Sequence, residues 1–202
     1  MADRLYLNIW FPTFTAAEML PRMLSVLRQF PFSASRPGIG SLSVHCVSWS
    51  EPVIFQQTFD RGAAPEEALG LANDFLHSDY AYEFEAFWDL WGPKIEGDLD
   101  PRWTLQPEQV RFIAYGTEFE DGEACQQFGH IHLDFGLDSP FLHDELEDLD
   151  ELAEERVKIN VQKLVNFTSA VEKKCGISGR VLWSESEETL AQKLVSRLQK
   201  TQ

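Results

Sequence analysis

Apolar and polar positions alternate over residues 4–11. Leu5, Leu7, Ile9 and Phe11 share one face, and Tyr6, Asn8 and Trp10 share the other, which is the two-residue period of a strand with one buried side. A helix is predicted over 15–29, opened by Thr15 with Glu18 three residues on, a capping-box spacing. Leu20, Leu24 and Leu27 supply its apolar stripe. Pro21 lacks an amide hydrogen and so implies either a kink or a start nearer Leu20. Residues 30–40, with Pro31, Pro37, Gly38 and Gly40, read as a loop. Strands at 41–49 and 53–60 form a hairpin across Ser50, Glu51 and Pro52. Pro65, Glu66 and Glu67 then suit the first turn of a helix running to about His77.

Alternation returns over 80–91. Tyr82, Phe84, Ala86, Trp88 and Leu90 face one way, and Glu83, Glu85, Phe87 and Asp89 the other. The element order βαββαβ is that of a ferredoxin-like unit, a likeness of order that implies no function. Residues 92–107 are rich in Pro, Gly and Asp and read as a long connection. The pair Asp121-Gly122 suits a two-residue hairpin turn. That turn places Phe112 opposite Ile131, Val110 opposite Leu133 and Arg111 opposite His132, so that apolar residues meet apolar residues.

From 144 onward, Leu146, Leu149, Ala153, Val157, Val161, Leu164, Thr168, Val171 and Cys175 recur at steps of three and four. They trace one stripe of a helix ending at Gly176. A short strand at 180–183 and a helix at 186–199 complete the chain. The predicted fold is therefore a single α+β domain over 1–202, an antiparallel sheet with helices packed on one face. A ferredoxin-like portion (1–91) is extended by a loop and β-hairpin (92–143) and by a helical C-terminal portion (144–202).

Composition narrows the function classes. A formal net charge of -16 opposes binding to a phosphate backbone, so no nucleic acid is expected and a basic partner is. No apolar run approaches the length of a membrane span, and no membrane partner is expected. The three cysteines, Cys46, Cys125 and Cys175, are odd in number and scattered, which fits a reducing, cytoplasmic setting.

The sharpest local pattern is His130-Ile-His132-Leu-Asp134. Strand alternation would set both imidazoles and the carboxylate on one face, a row that could serve as metal ligands for a hydrolase. Arg111, predicted beside His132, opposes a cation there, and no metal or other cofactor is expected. Glu83 and Glu85 share a strand face, a common spacing. The glycine-rich phosphate loops and the nucleophile-elbow pattern are absent from the sequence.

The second sheet face as a whole is more informative than any one motif. Trp10, Trp49, Glu85, Arg111, Tyr115, His130 and His132 are its candidate ligand- or partner-binding residues, with Tyr6, His45, Glu83 and Phe87 beside them. Amphipathic rings mixed with charges are typical of contact surfaces. The leading expectation is a non-enzymatic binding or protein-interaction protein that meets a basic protein or its own copy. The alternative is a metal- or small-ligand-dependent hydrolase centred on His130, His132 and Asp134.

Overall fold

A computed structural model describes residues 2–94, 102–142, 151–185 and 192. The chain is α+β, with one antiparallel sheet of seven strands and five helices among the described residues. The strands are β1 (Arg4–Trp10), β2 (Ile39–Cys46), β3 (Val53–Ala63), β4 (Tyr80–Lys94), β5 (Arg102–Tyr115), β6 (Ile131–Leu137) and β7 (Gly179–Ser184). The helices are α1 (Ala16–Leu27), α2 (Pro65–Asn73), α3 (Glu123–Phe128), α4 (Ser139–Leu142) and α5 (Glu151–Lys174). None of the described helices is long and apolar enough to cross a membrane.

The sheet order is β3-β2-β4-β5-β6-β1-β7. The order of elements βαββαβ is present, but β5 and β6 lie between β4 and β1 in the sheet. The strands of residues 1–91 are thus not contiguous, and β1 pairs with β6 and β7. This differs from a ferredoxin-like unit, whose strands pair among themselves. Element order is a local property, whereas pairing is decided by which apolar faces can be covered together.

One face of the sheet carries the main core. Leu5, Leu7 and Ile9 of β1 are fully buried, as are Tyr82, Phe84, Ala86 and Trp88 of β4, and each of the aliphatic residues of β1 contributes on the order of 2 kcal/mol by leaving water. Met19, Met23, Val26 and Leu27 of α1, Ala68 and Ala72 of α2, and Leu164, Phe167 and Val171 of α5 join the same core. The Thr15 amide donates to Glu18 Oε2 at 3.2 Å, so the capping box opens α1 at Ala16 even though Pro21 lies inside it. Along α5 the predicted stripe is seated: Ala153, Val157, Leu164, Thr168, Val171 and Cys175 are buried, with Phe167 and Asn160 besides. Leu146, Leu149 and the predicted helix at 186–199, apart from helical Gln192, lie outside the described residues.

Two polar anchors tie α5 and the segment after α2 to β4. Asn160 Nδ2 donates to the carbonyls of Trp91 and Pro140, each at 2.8 Å, while its Oδ1 accepts the Trp91 amide at 2.9 Å. The Tyr82 hydroxyl donates to the Phe75 carbonyl at 2.7 Å and accepts the His77 amide at 2.9 Å.

Two expectations change. Residues 92–94 and 102–107, read as parts of a long loop, extend the β4–β5 ladder out to Lys94↔Arg102. Pro107 is accommodated because β6 covers only Arg111–Ala114 of β5, which leaves the outer half of β5 an edge where a missing amide costs no ladder bond. The connection from β5 to β6 is not a two-residue turn. It contains a tight turn at Phe119–Gly122, in which Glu120, Asp121 and Gly122 have φ of 52°, 55° and 81°, followed by α3. The register is accordingly Arg111↔Asp134, Phe112↔Leu133 and Ile113↔His132, two residues from the expected one. A slip of two preserves the faces, so Arg111 and His132 remain on the same side.

Candidate functional site: a ring-lined cleft on the second sheet face

The second face is partly covered. The turn and α3 lay Phe119, Ala124 and Phe128 over Ala81, Ile113 and Tyr115, which makes a second small core. The Gly116 amide donates to the Tyr80 carbonyl at 2.7 Å, the Glu118 amide to Ser78 at 2.8 Å and the Glu120 amide to Val47 at 2.8 Å, so the segment is pinned along its length. Farther along the face, the Arg36 guanidinium lies 3.6 Å from the ring centroid of Phe87. Between these covers a cleft of about 530 Å³ stays open, bounded by Tyr6, Trp49, Tyr115, Phe128, His132 and Trp183, with Glu83, Arg111, Glu120 and Asp134 as its charged groups.

The rings form a connected row. Trp183 meets Tyr6 at 4.7 Å between centroids, Tyr6 stacks on His132 at 5.2 Å, Phe128 meets His132 at 5.5 Å, and Trp49 stands edge-on to Tyr115 at 6.2 Å. Pairing of β1 with both β6 and β7 sets Asn8 opposite His132 on one side and Val181 on the other. That position makes Asn8 the organiser of one wall. An indole N–H can only donate, so the Trp183 Nε1 contact at 3.2 Å fixes Asn8 Oδ1 as the acceptor. The same oxygen then accepts from His132 Nδ1 at 2.8 Å, and the other imidazole nitrogen, Nε2, keeps its lone pair. Burial lowers the His132 pKa to about 4, so the ring is neutral at physiological pH.

The floor is a row of charges. Asp134 is 2% exposed and accepts from Arg111 Nη2 and Arg4 Nη2, each at 2.5 Å on Oδ2, and from the Gly136 amide at 2.9 Å on Oδ1. Burial alone would raise its pKa, but the hydrogen bonds from Arg111, Arg4 and Gly136 outweigh burial and hold it below the usual carboxylate value. Arg111 Nη1 also stands 3.6 Å from Glu83 Oε1, and Glu83 Oε2 stands 3.7 Å from His45 Nε2. Burial raises the Glu83 pKa and lowers that of His45. His45 Nε2 is buried without a hydrogen bond.

The candidate residues therefore divide. Arg111, Tyr115, His132 and Trp49 come together in the cleft. Trp49 does so from the β2–β3 loop, since β2 ends at Cys46. Glu85 is on the expected face but is occupied outside the cleft, where it accepts from Ser41 Oγ at 2.7 Å and Gln109 Nε2 at 2.6 Å. Trp10 lies opposite Gly179 at the end of the β1–β7 ladder and does not line the cleft.

His130 is not beside His132. It precedes β6, its ring stacks on Phe14 at 4.3 Å, and its Nδ1 accepts the Phe11 amide at 3.0 Å. The His130-x-His132-x-Asp134 set consequently does not converge, and Asp134 is taken up by two guanidiniums. Among the described residues no group of three His, Cys, Asp or Glu side chains is placed to hold a metal ion.

Residues that sequence reasoning did not nominate complete the site. Asn8, Trp183, Glu120, Gln127 and Phe128 reach it through pairings between distant segments. Tyr6 was marked by strand alternation alone.

No protein-family model matches the chain, and comparison with curated proteins and with solved structures gives no significant match.

Proposed function

We propose that the chain is a non-enzymatic binding protein and that the cleft on its second sheet face is the recognition surface, receiving part of a basic protein partner or of a second copy of the chain. The observation that carries this reading is the row of rings from Trp183 through Tyr6, His132 and Phe128 to Tyr115 and Trp49, set above paired charges. Rings bury large area at low entropic cost, and interfaces concentrate their binding energy in Trp, Tyr and Arg held in partly desolvated pockets. A volume of about 530 Å³ suits one or two side chains of a partner or a small ligand.

The titratable groups support binding over catalysis. His132 is neutral and tied to Asn8, Asp134 is locked between two arginines, and Arg111 is shared by Asp134 and Glu83. Each is positioned to keep the floor rigid, which lowers the entropy lost when a partner binds.

Light scattering combined with affinity capture at low and high salt tests the reading, comparing wild type with Trp49→Ala and His132→Gln. Wild type is expected to self-associate or retain a partner at low salt, to do so less at high salt, and Trp49→Ala is expected to lose it. A strict monomer that retains nothing at either salt would overturn the proposal.

A further inference from the structure

The charges of the cleft do not cancel evenly along its length. On the floor Arg4 and Arg111 face Asp134 and Glu83, two positive charges against two negative. At the Trp49 end, Glu120 Oε1 accepts the Trp49 amide at 3.4 Å. Just outside the opposite end, beyond the lining residue Tyr6, Glu185 Oε1 accepts the Tyr6 hydroxyl at 3.0 Å. Among the described residues neither carboxylate lies within ion-pair distance of a lysine or arginine. Each stands beside rings: Glu120 beside Trp49, which packs edge-on to Phe119 at 5.4 Å, and Glu185 beside the Tyr6–Trp183 pair.

A carboxylate adjoining the electron-rich faces of Tyr and Trp is an arrangement that stabilises an organic cation. A guanidinium gains more than an ammonium, because its plane stacks on a ring while its edge donates to the carboxylate. Arg111 would repel such a cation if its charge were free, but Asp134 and Glu83 already answer it. At longer range the formal net charge of -16 draws cations toward the surface.

Resting on the binding reading of this cleft, we infer that its occupant is an organic cation, a guanidinium or ammonium group seated against the rings at Trp49 and at Tyr6–Trp183, with Glu120 and Glu185 as counter-charges. The cation can be a side chain of a basic polypeptide or a free polyamine, and both offer the same chemistry.

Calorimetric titration of the full 202-residue chain at physiological ionic strength tests this with four probes: blocked tetra-arginine, blocked tetra-lysine, spermine and blocked tetra-glutamate. Tetra-arginine is expected to bind more tightly than tetra-lysine. Glu120→Gln, Glu185→Gln and Trp49→Leu are each expected to weaken it about fivefold, while Glu67→Gln on the outer side of α2 leaves it unchanged. Circular dichroism checks that each variant folds. Spermine binding more tightly than either peptide would still uphold the cation and assign it to the free polyamine.

Equal binding to wild type and to all three variants, Glu120→Gln, Glu185→Gln and Trp49→Leu, would overturn the inference, because the general acidic surface would then be the receptor. Binding of tetra-glutamate that is lost in Trp49→Leu would also overturn it, yet leave the cleft a recognition site. No heat with any probe up to about 1 mM would reject the cation, and the capture experiment would separately decide whether the cleft binds at all.

Discussion

Arg111 Nη2 lies 2.5 Å from Asp134 Oδ2 on neighbouring strands whose register sets the two residues directly opposite each other. Arg4 reaches the same oxygen from β1, so one buried carboxylate links three strands at the floor of the cleft. Removing its charge leaves two guanidiniums facing each other, with Glu83, 3.6 Å from Arg111, as the remaining counter-charge. Asp134→Asn is expected to cost about 2 kcal/mol in urea unfolding, less than for a fully buried pair because both arginines are partly in water. Arg4→Met should cost less than that, since Arg111 keeps Asp134 paired. The folded carboxylate titrates below its ordinary value, so its stabilisation is present above that ordinary value and is lost as pH falls through the folded one. The gap between wild type and Asp134→Asn should therefore close only in strong acid.

His132 has the opposite chemistry and titrates in a higher window. Its pKa is lowered from 6.5 to about 4 by burial, and the folded chain therefore binds fewer protons than the unfolded chain between those values. The stabilisation is fully present above 6.5 and is lost as pH falls toward 4. A lowering of this size corresponds to about 3 kcal/mol. Unfolding free energies measured at several pH values should fall steeply between 6.5 and 4 in wild type, and His132→Gln should flatten that slope. In an NMR titration the His132 ring protons should stay unshifted through pH 6.5 and move near 4. A His132 midpoint near 6.5 would mean that the ring is open to water and that the Asn8 contact does not hold it.

Face assignment was legible because strand alternation is a local property. Leu5, Leu7 and Ile9 are buried as alternation requires, Glu83 and Arg111 share the second face, and the α5 stripe seats Leu164, Thr168 and Val171. Even the wrong hairpin register kept Arg111 and His132 on one side, because a slip of two residues is invisible to a period of two. Alternation stops informing where a strand stops. His130 precedes β6 and Trp49 follows β2, so the first turned away from the cleft and the second reached it by a loop. The wall of Asn8 and Trp183 was hidden for a different reason. It exists only because β1 lies between β6 and β7, and a pairing across more than a hundred residues leaves no mark in periodicity. The turn at Asp121-Gly122 was legible as a place for positive φ, but the positive φ extends back to Glu120 and becomes the start of a covering helix rather than a tight hairpin.

Val47 is where the lip of the cleft carries strain. Its φ is 62°, a region that costs an L-residue about 1–2 kcal/mol and a β-branched one more. Two backbone bonds hold it there, the Val47 amide to the Asp79 carbonyl and the Glu120 amide to the Val47 carbonyl, each at 2.8 Å. Its side chain is 52% exposed and returns little packing energy. Asparagine tolerates this backbone region and, unlike glycine, adds little freedom to the unfolded chain. Val47→Asn is therefore expected to raise stability by about 1 kcal/mol, read as a higher urea midpoint with an unchanged slope. Val47→Ile should leave it where it is. Because the two backbone bonds fix the conformation, Trp49 and Glu120 should keep their places, and Val47→Asn should bind the cationic probes as wild type does. A loss of stability in Val47→Asn would show that the valine methyls contribute more packing than the strained backbone costs.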